Sequence, residues 1–193
     1  MLDKIKELRE KTDVSVMVCQ KALEEAGGDM EKAMQILRKE GVKVAQKKSL
    51  RSLNAGVVEA YIHSTKQVGV LLEVRCETDF VSKNEGFQRF AHDVAMHIAA
   101  ADPLYVSLED IPESSKEEIK KIFEEEISKI DKPREIKEKI LEGKMETYLK
   151  ERTLLEQPYV KNPDITVGDF IKEGVQKFGE NISVARFSRY SIS

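Results

Sequence analysis

Val68-Gly69-Val70-Leu71-Leu72-Glu73-Val74-Arg75-Cys76-Glu77-Thr78-Asp79-Phe80-Val81 carries the chain from one periodicity to another. The first nine residues alternate, which predicts a strand with Val68, Val70, Leu72, Val74 and Cys76 on its buried face. Ser82-Lys83-Asn84-Glu85 then begins a helix-like pattern. Glu77 to Val81 therefore form a strand-to-helix corner. An acidic residue beside a large aromatic is an odd placement for a core position. Phe80 can tuck back into its own core or project toward another protein, and the pattern leaves both open. Asp79 can also serve as a helix N-cap, which would fix the direction of the corner.

Upstream, Gly56, Val58, Ala60 and Ile62 alternate with Val57, Glu59, Tyr61 and His63, and Ser64-Thr65-Lys66-Gln67 reads as a hairpin turn. Downstream, Phe87, Phe90, Ala91, Val94, Ile98 and Ala101 recur at helical spacing, and Asp102-Pro103 ends that helix. Ser107 is placed to cap a short turn before Pro112. Residues 113–153 carry two narrow apolar seams, Ile119, Phe123, Ile127 and Ile130, then Ile136, Ile140, Leu141, Met145 and Leu149. Ser115-Lys-Glu-Glu118 has the spacing of a capping box, and Asp131-Lys132-Pro133 interrupts the two seams. Two helices of roughly 17–20 residues would reach ~25–30 Å, so a projecting antiparallel hairpin is predicted. Val167, Phe170, Ile171, Val175 and Phe178 describe a last helix, and Gly179-Glu180-Asn181 turns the chain. In the closing strand, 182–190, Ile182 and Val184 are out of phase with Ala185 and Phe187. A bulge or burial on both faces would each account for that.

The N-terminal part reads as three short helices. Leu2, Ile5 and Leu8 mark the first, and Ser15 can cap a second bearing Val16, Met17, Cys19, Leu23 and Ala26. Gly27-Gly28 stops it. Asp29 can cap a third, with Met30, Ala33, Met34 and Leu37 inward and Gly41 as its end. The predicted fold class is α+β: a three-helix bundle over 1–41, a basic linker over 42–54 with Lys43, Lys47, Lys48 and Arg51, and a domain over 55–193. The last comprises a small antiparallel sheet packed with helices and the hairpin at 113–153.

Composition narrows the function. The 193 residues carry a net charge of −3, and 35% of them are charged. That balance disfavours a general nucleic-acid binder. No apolar run suits a signal peptide or a membrane span, which leads to the expectation of a soluble cytoplasmic protein. Cys19 and Cys76 form no CxxC pair. His92 and His97 lie about 140° apart around a helix and share no face for a metal. HExxH, GxSxG and P-loop patterns are absent. Cys76 and His63 could be imagined as a thiol pair, but a free cysteine more commonly packs as a small hydrophobe. The residues call for no cofactor, no metal and no enzymatic chemistry. What remains is binding.

Four segments in order resemble the elongation factor Ts family, and the likeness spans nearly the whole chain. Val74-Arg-Cys-Glu-Thr-Asp-Phe-Val81 is similar to its signature. Leu8-Arg-Glu-Lys-Thr12, Cys19-Gln-Lys-Ala-Leu23, Gly28-Asp29 and Leu37-Arg-Lys resemble its ubiquitin-associated-like (UBA-like) bundle. Tyr61-Ile-His63, the 113–153 hairpin and Gly179-Glu-Asn-Ile-Ser-Val-Ala-Arg-Phe187 follow in the family's order. One turn departs: Thr12-Asp13-Val14-Ser15 stands for a Thr-Gly-Ala-Gly-like turn, and Val16-Met17 stands where two methionines are common.

The resemblance implies a guanine-nucleotide exchange factor for the translational GTPase elongation factor Tu. By that likeness Asp79 and Phe80, with Val81 and Ser82, enter the GTPase near the element supporting its magnesium ion. His63 contacts the same region, Val16 and Met17 touch the nucleotide-binding domain, and the hairpin grips elsewhere. The factor itself would bind no nucleotide. Longer family members carry two related strand-and-helix halves, whereas this chain has one hairpin of that kind. Short members form homodimers that restore the missing half, so a homodimer is expected. His63 and Phe80 acting on one GTPase could then come from different subunits. The competing expectation is a non-exchanging adaptor that uses the bundle and the helical hairpin to hold two partners.

Overall fold

In the computed structural model, which describes residues 1–192, the alternating strand is the middle of a three-stranded sheet. The elements run α1 (Leu2–Thr12), α2 (Val16–Glu25), α3 (Met30–Lys48), β1 (Ala55–Ile62), β2 (Val68–Cys76), α4 (Asp79–Ser82), α5 (Glu85–Ala101), α6 (Glu113–Ser128), α7 (Arg134–Glu151), β3 (Pro158–Tyr159), β4 (Asn162–Thr166), α8 (Val167–Phe178) and β5 (Ile182–Ser191). Both β1 and β5 pair antiparallel with β2. Between Glu73 and Val74 the β2–β5 register shifts, leaving Ala185 as an extra residue opposite β2. A bulge therefore accounts for the phase break in the closing strand.

The sheet has one covered face and one open face. Val70, Leu72, Val74 and Cys76 are buried beneath α5 and join a core with Phe87, Phe90, Val94, Ile98, Ile171 and Val175. Val58, Ile62, Leu71 and Tyr190 project from the opposite face and are exposed. Aromatic rings bind α5 to α8: Phe90 stacks on Phe170 at 4.7 Å and Phe87 meets Phe178 edge-on at 5.5 Å. Tyr159, on the short β3–β4 ribbon that the alternation did not reveal, stacks on Phe170 at 4.4 Å.

His97 lies on the buried side of α5 with Ile98 and Ala99, a position the helical pattern did not assign to the core. The Val160 N–H donates to its Nδ1 at 3.2 Å, so the proton sits on Nε2, which donates to Gln157 Oε1 at 3.0 Å. Gln157 Nε2 in turn donates to the Ala101 and Glu151 carbonyls. Burial lowers the His97 pKa, and the neutral ring acts as a structural link.

The N-terminal bundle has its own core of Ile5, Leu8, Val14, Cys19, Leu23, Ala33 and Leu37; Leu2 is exposed. Asp29 caps α3 by accepting from the Lys32 N–H. Ser15 occupies the N-cap of α2 without a side-chain bond. The helix end expected at Gly41 is absent, because α3 continues to Lys48. Val44 and Ala45 pack on the main core, and Gly41 is buried against α8, where a Cβ would meet the movable end of the Gln176 side chain at 2.9 Å. Two ion pairs add to this junction, Lys177–Asp13 at 2.6 Å and Arg38–Glu173 at 3.5 Å. Asp13 takes the left-handed conformation at φ 53°, a role glycine commonly fills after a helix.

The helices α6 and α7 form the expected arm, with Phe123 edge-on to Tyr148 and Lys144 paired to Glu126 at 2.6 Å. Its first helix starts at Glu113 after Pro112, so Ser115 lies inside it and no capping box forms there. Ser107 and Asp110 form one instead, around the preceding short turn. The base of the arm is fixed by Leu104 N–H to the Arg152 carbonyl and Leu154 N–H to the Tyr105 carbonyl.

Gly174 gives a direct test of the α5–α8 contact. An added Cβ would lie 2.8 Å from two Phe90 ring atoms, and that ring is enclosed by Phe87, Phe170 and Phe178. Overpacking costs about 1–3 kcal/mol, while the helix-propensity gain of Gly→Ala is at most about 1 kcal/mol. Gly174→Ala is therefore expected to lower the melting temperature in a calorimetric scan. An equal or higher value would show that the ring yields freely.

Candidate functional site

The corner after β2 is built from two abutting helix starts. Thr78, extended at φ −132° and ψ 155°, precedes the single turn of α4, so Asp79 is its first residue and not its N-cap. Asn84 then caps α5 by accepting from the Gly86 N–H at 2.8 Å. Within the turn the side chains divide. Val81 (6% exposed) belongs to the main core and Ser82 (8%) returns its hydroxyl to the Asp79 carbonyl at 3.1 Å. The Phe80 ring is 85% exposed. Of its two fates it takes the outward one. Asp79 is also exposed and pairs with Lys83 at 3.3 Å, a surface pair that contributes little stability.

The turn between α8 and β5 holds this corner from behind. One Glu180 oxygen accepts the Glu77 and Thr78 N–H groups, each at 3.0 Å, and the other accepts the Thr78 hydroxyl at 2.6 Å. Glu77 Oε1 accepts the Asn181 N–H at 2.6 Å, and Arg51 lies 3.4 Å from the other Glu77 oxygen. The Asn181 amide donates to the Ser49 and Arg51 carbonyls just past α3. Cys76 is enclosed here and its thiol donates to the Thr78 carbonyl at 3.3 Å. Burial first, and the Glu180 carboxylate next, push the thiol pKa up, so it is not a ready nucleophile. The sequence marked 179–181 only as a turn. It gave no signal that Glu180 and Asn181 reach Glu77 and Thr78.

His63 stands at the other end of the hairpin. The strands pair from Ala55 with Cys76 to Ile62 with Gly69, and His63 follows Ile62. At ~3.3 Å per residue, roughly 25 Å separates His63 from the Cys76 end, where Phe80 emerges. The imagined Cys76–His63 thiol pair is ruled out by the same separation. Tyr61 orients His63, its hydroxyl lying 3.1 Å from Nδ1, and the Tyr61 ring meets His92 edge-on at 5.4 Å. His92 is 2.9 Å from Glu59. On the bundle, Val16 (48%) and Met17 (81%) are exposed at the start of α2.

Among the described residues no cluster of three or more His, Cys, Asp or Glu side chains is placed to hold a metal. No helix among them is long and apolar enough to cross a membrane. The corner offers shape in place of reactivity: one aromatic ring and one carboxylate, held out on a braced turn.

A family model described as Elongation factor TS matches residues 4–193. Elongation factor Ts of Carboxydothermus hydrogenoformans is 50% identical over 188 residues, covering 97% of this chain and 87% of that protein. That of Thermodesulfovibrio yellowstonii is also 50% identical, over 97% of this chain and 94% of its own length. The Alkaliphilus oremlandii protein of the same name is 48% identical over 97% and 87%.

The division of the turn is testable by urea denaturation. Phe80→Ala removes an exposed ring and is expected to leave stability within about 0.5 kcal/mol of the parent. Val81→Ala opens the core and is expected to cost roughly 1–3 kcal/mol. A larger loss for Phe80→Ala than for Val81→Ala would reverse the assignment of inner and outer side chains.

Proposed function

This chain belongs to the elongation factor Ts family, and from that membership we propose that it is a guanine-nucleotide exchange factor for elongation factor Tu in translation elongation. It works in the cytoplasm and makes or breaks no covalent bond. The observation that carries the reading is Phe80, a large apolar ring that is 85% exposed on a turn anchored from both sides. Exposed aromatic rings are favoured anchors in protein–protein contacts.

The ring and Asp79 insert beside the magnesium and phosphate site of the GTPase. Val81 and Ser82 take part from beneath, as the footing that sets the ring's direction. The bound nucleotide is held by backbone N–H groups, a lysine and magnesium around its phosphates, so a wedge that displaces these groups loosens it. Burying one Phe contributes on the order of 1.5–3 kcal/mol, which supports a local rearrangement but not all of nucleotide release. Val16 and Met17 on the bundle supply further contact to the nucleotide-binding domain. Exposed Ile122, Ile130 and Ile136 give the α6–α7 arm an apolar surface for a separate grip.

The factor acts as a homodimer joined through the open sheet face, where Val58, Ile62, Leu71 and Tyr190 would be covered. A contiguous exposed apolar patch of this kind favours a protein partner. The roughly 25 Å between the two hairpin ends supports the same arrangement: His63 of one subunit serves the GTPase that receives Phe80 of the other.

Release of a fluorescent GDP from elongation factor Tu, followed by stopped flow, tests the reading. Micromolar protein is expected to accelerate release, and Phe80→Ala to lose most of the acceleration. No acceleration by the parent protein, with capture of two unrelated partners by bundle and arm, would favour the adaptor reading. The dimer has its own test. Mixing His63→Ala with Phe80→Ala subunits at equal ratio leaves one intact composite site in each mixed dimer, so about a quarter of parental activity should return if the residues act in trans. No recovery after subunit exchange would place both residues on one subunit.

A further inference from the structure

We infer that Glu180 is the positioning residue of the Asp79–Phe80 wedge, setting its aim by a tether from outside the turn; this rests on the exchange reading above. The argument starts from the helix cap. A Thr at an N-cap ordinarily turns its hydroxyl to an N–H of its own first turn. Thr78 makes no such bond. Its hydroxyl donates instead to Glu180 Oε1 at 2.6 Å, and its N–H and that of Glu77 donate to Glu180 Oε2 at 3.0 Å. Three donors on two successive residues thus converge on one carboxylate. Charge-assisted bonds of this kind are the stronger and more directional ones.

The tether is reciprocal. Glu77 accepts the Asn181 N–H at 2.6 Å, so each corner supplies a carboxylate to the other's backbone. The rear corner is itself held: the Asn181 amide donates to the Ser49 and Arg51 carbonyls, and Lys48 Nζ donates to the Gly179 carbonyl. The chain leaving α3 is thereby joined to the segment that carries Phe80. A one-turn helix has too few bonds of its own to keep a direction under load. The external carboxylate supplies what the turn lacks, and the ring meets the GTPase already aimed.

Glu180→Ala separates aiming from docking. At saturating factor its maximal rate of fluorescent GDP release from elongation factor Tu is expected to fall about tenfold, with the half-saturating concentration changed less than about threefold. Hydrogen exchange at the Glu77 and Thr78 amides should quicken in the free protein. Glu180→Gln keeps an acceptor for both N–H groups and offers its amide to the Thr78 hydroxyl, so it is expected to stay within about threefold of the parent. If Glu180→Ala does not fold, Thr78→Val, which removes one donor and keeps the side-chain shape, carries the same measurements with a smaller expected loss. A folded Glu180→Ala, or failing that Thr78→Val, with the parental maximal rate or unchanged amide protection overturns the inference. Acceleration by the parent beside a fully active variant removes this inference alone. An inert parent removes the exchange reading and this inference with it.

Discussion

Burial of Val70, Leu72, Val74 and Cys76 against α5 and α8 fixes the register of β2, and through it the point at which the chain must turn toward α5. A strand with one buried face cannot slip by a residue without reversing every side chain. Cys76 and Val81 are both in that core, so the four residues between them are tied at both ends. Phe80 points outward because its neighbour on the turn is held inward. The exposed ring is a consequence of the core, and a core change that moved β2 would move the ring.

Apolar anchoring sets where the corner lies but leaves its direction soft. A single helical turn can rotate about its anchor with little loss of burial. The carboxylates of Glu77 and Glu180 address that remaining freedom through bonds whose geometry is directional. Core and tether thus divide the task. The tether also joins three parts of the sequence, the end of α3, the β2–α4 corner and the α8–β5 turn. The corner is therefore joined directly to the chain leaving α3, a helix of the bundle.

How much of this was legible depends on the range of the interactions involved. The β2 alternation, the α5 stripe and the paired seams of the arm follow from local periodicity, and the structure has each of them except at their ends, where Ala101, Ile130 and Ile136 are exposed. Gly41 looks like a helix stop because α8, the helix it is buried against, is distant in sequence. His97 escapes the α5 stripe because its partners, Gln157 and Val160, lie just before and within the β3–β4 ribbon, which has no clear alternation. Phe80 is undecidable by period, since one turn has none. Glu180 is hidden for the same reason as Gly41: it reaches Glu77 across 103 positions. Family likeness directed attention to Asp79 and Phe80, while the residues that hold them there emerged only from the fold.

On the exchange reading proposed above, a rigid wedge also fits the thermodynamics of exchange. Coupling between factor and nucleotide is reciprocal: whatever factor binding subtracts from the nucleotide's affinity, the nucleotide subtracts from the factor's. A factor that ordered its own corner on binding would use part of its interaction energy for that ordering and have less left to displace phosphate ligands. One Phe contributes only on the order of 1.5–3 kcal/mol, so even a modest ordering cost would matter. On the proposed reading, the Thr78–Glu180 bond would place that cost in the folding of the factor, before the GTPase is met. On the same reading, an incoming nucleotide would weaken the factor's hold by that reciprocal coupling and so help to expel it.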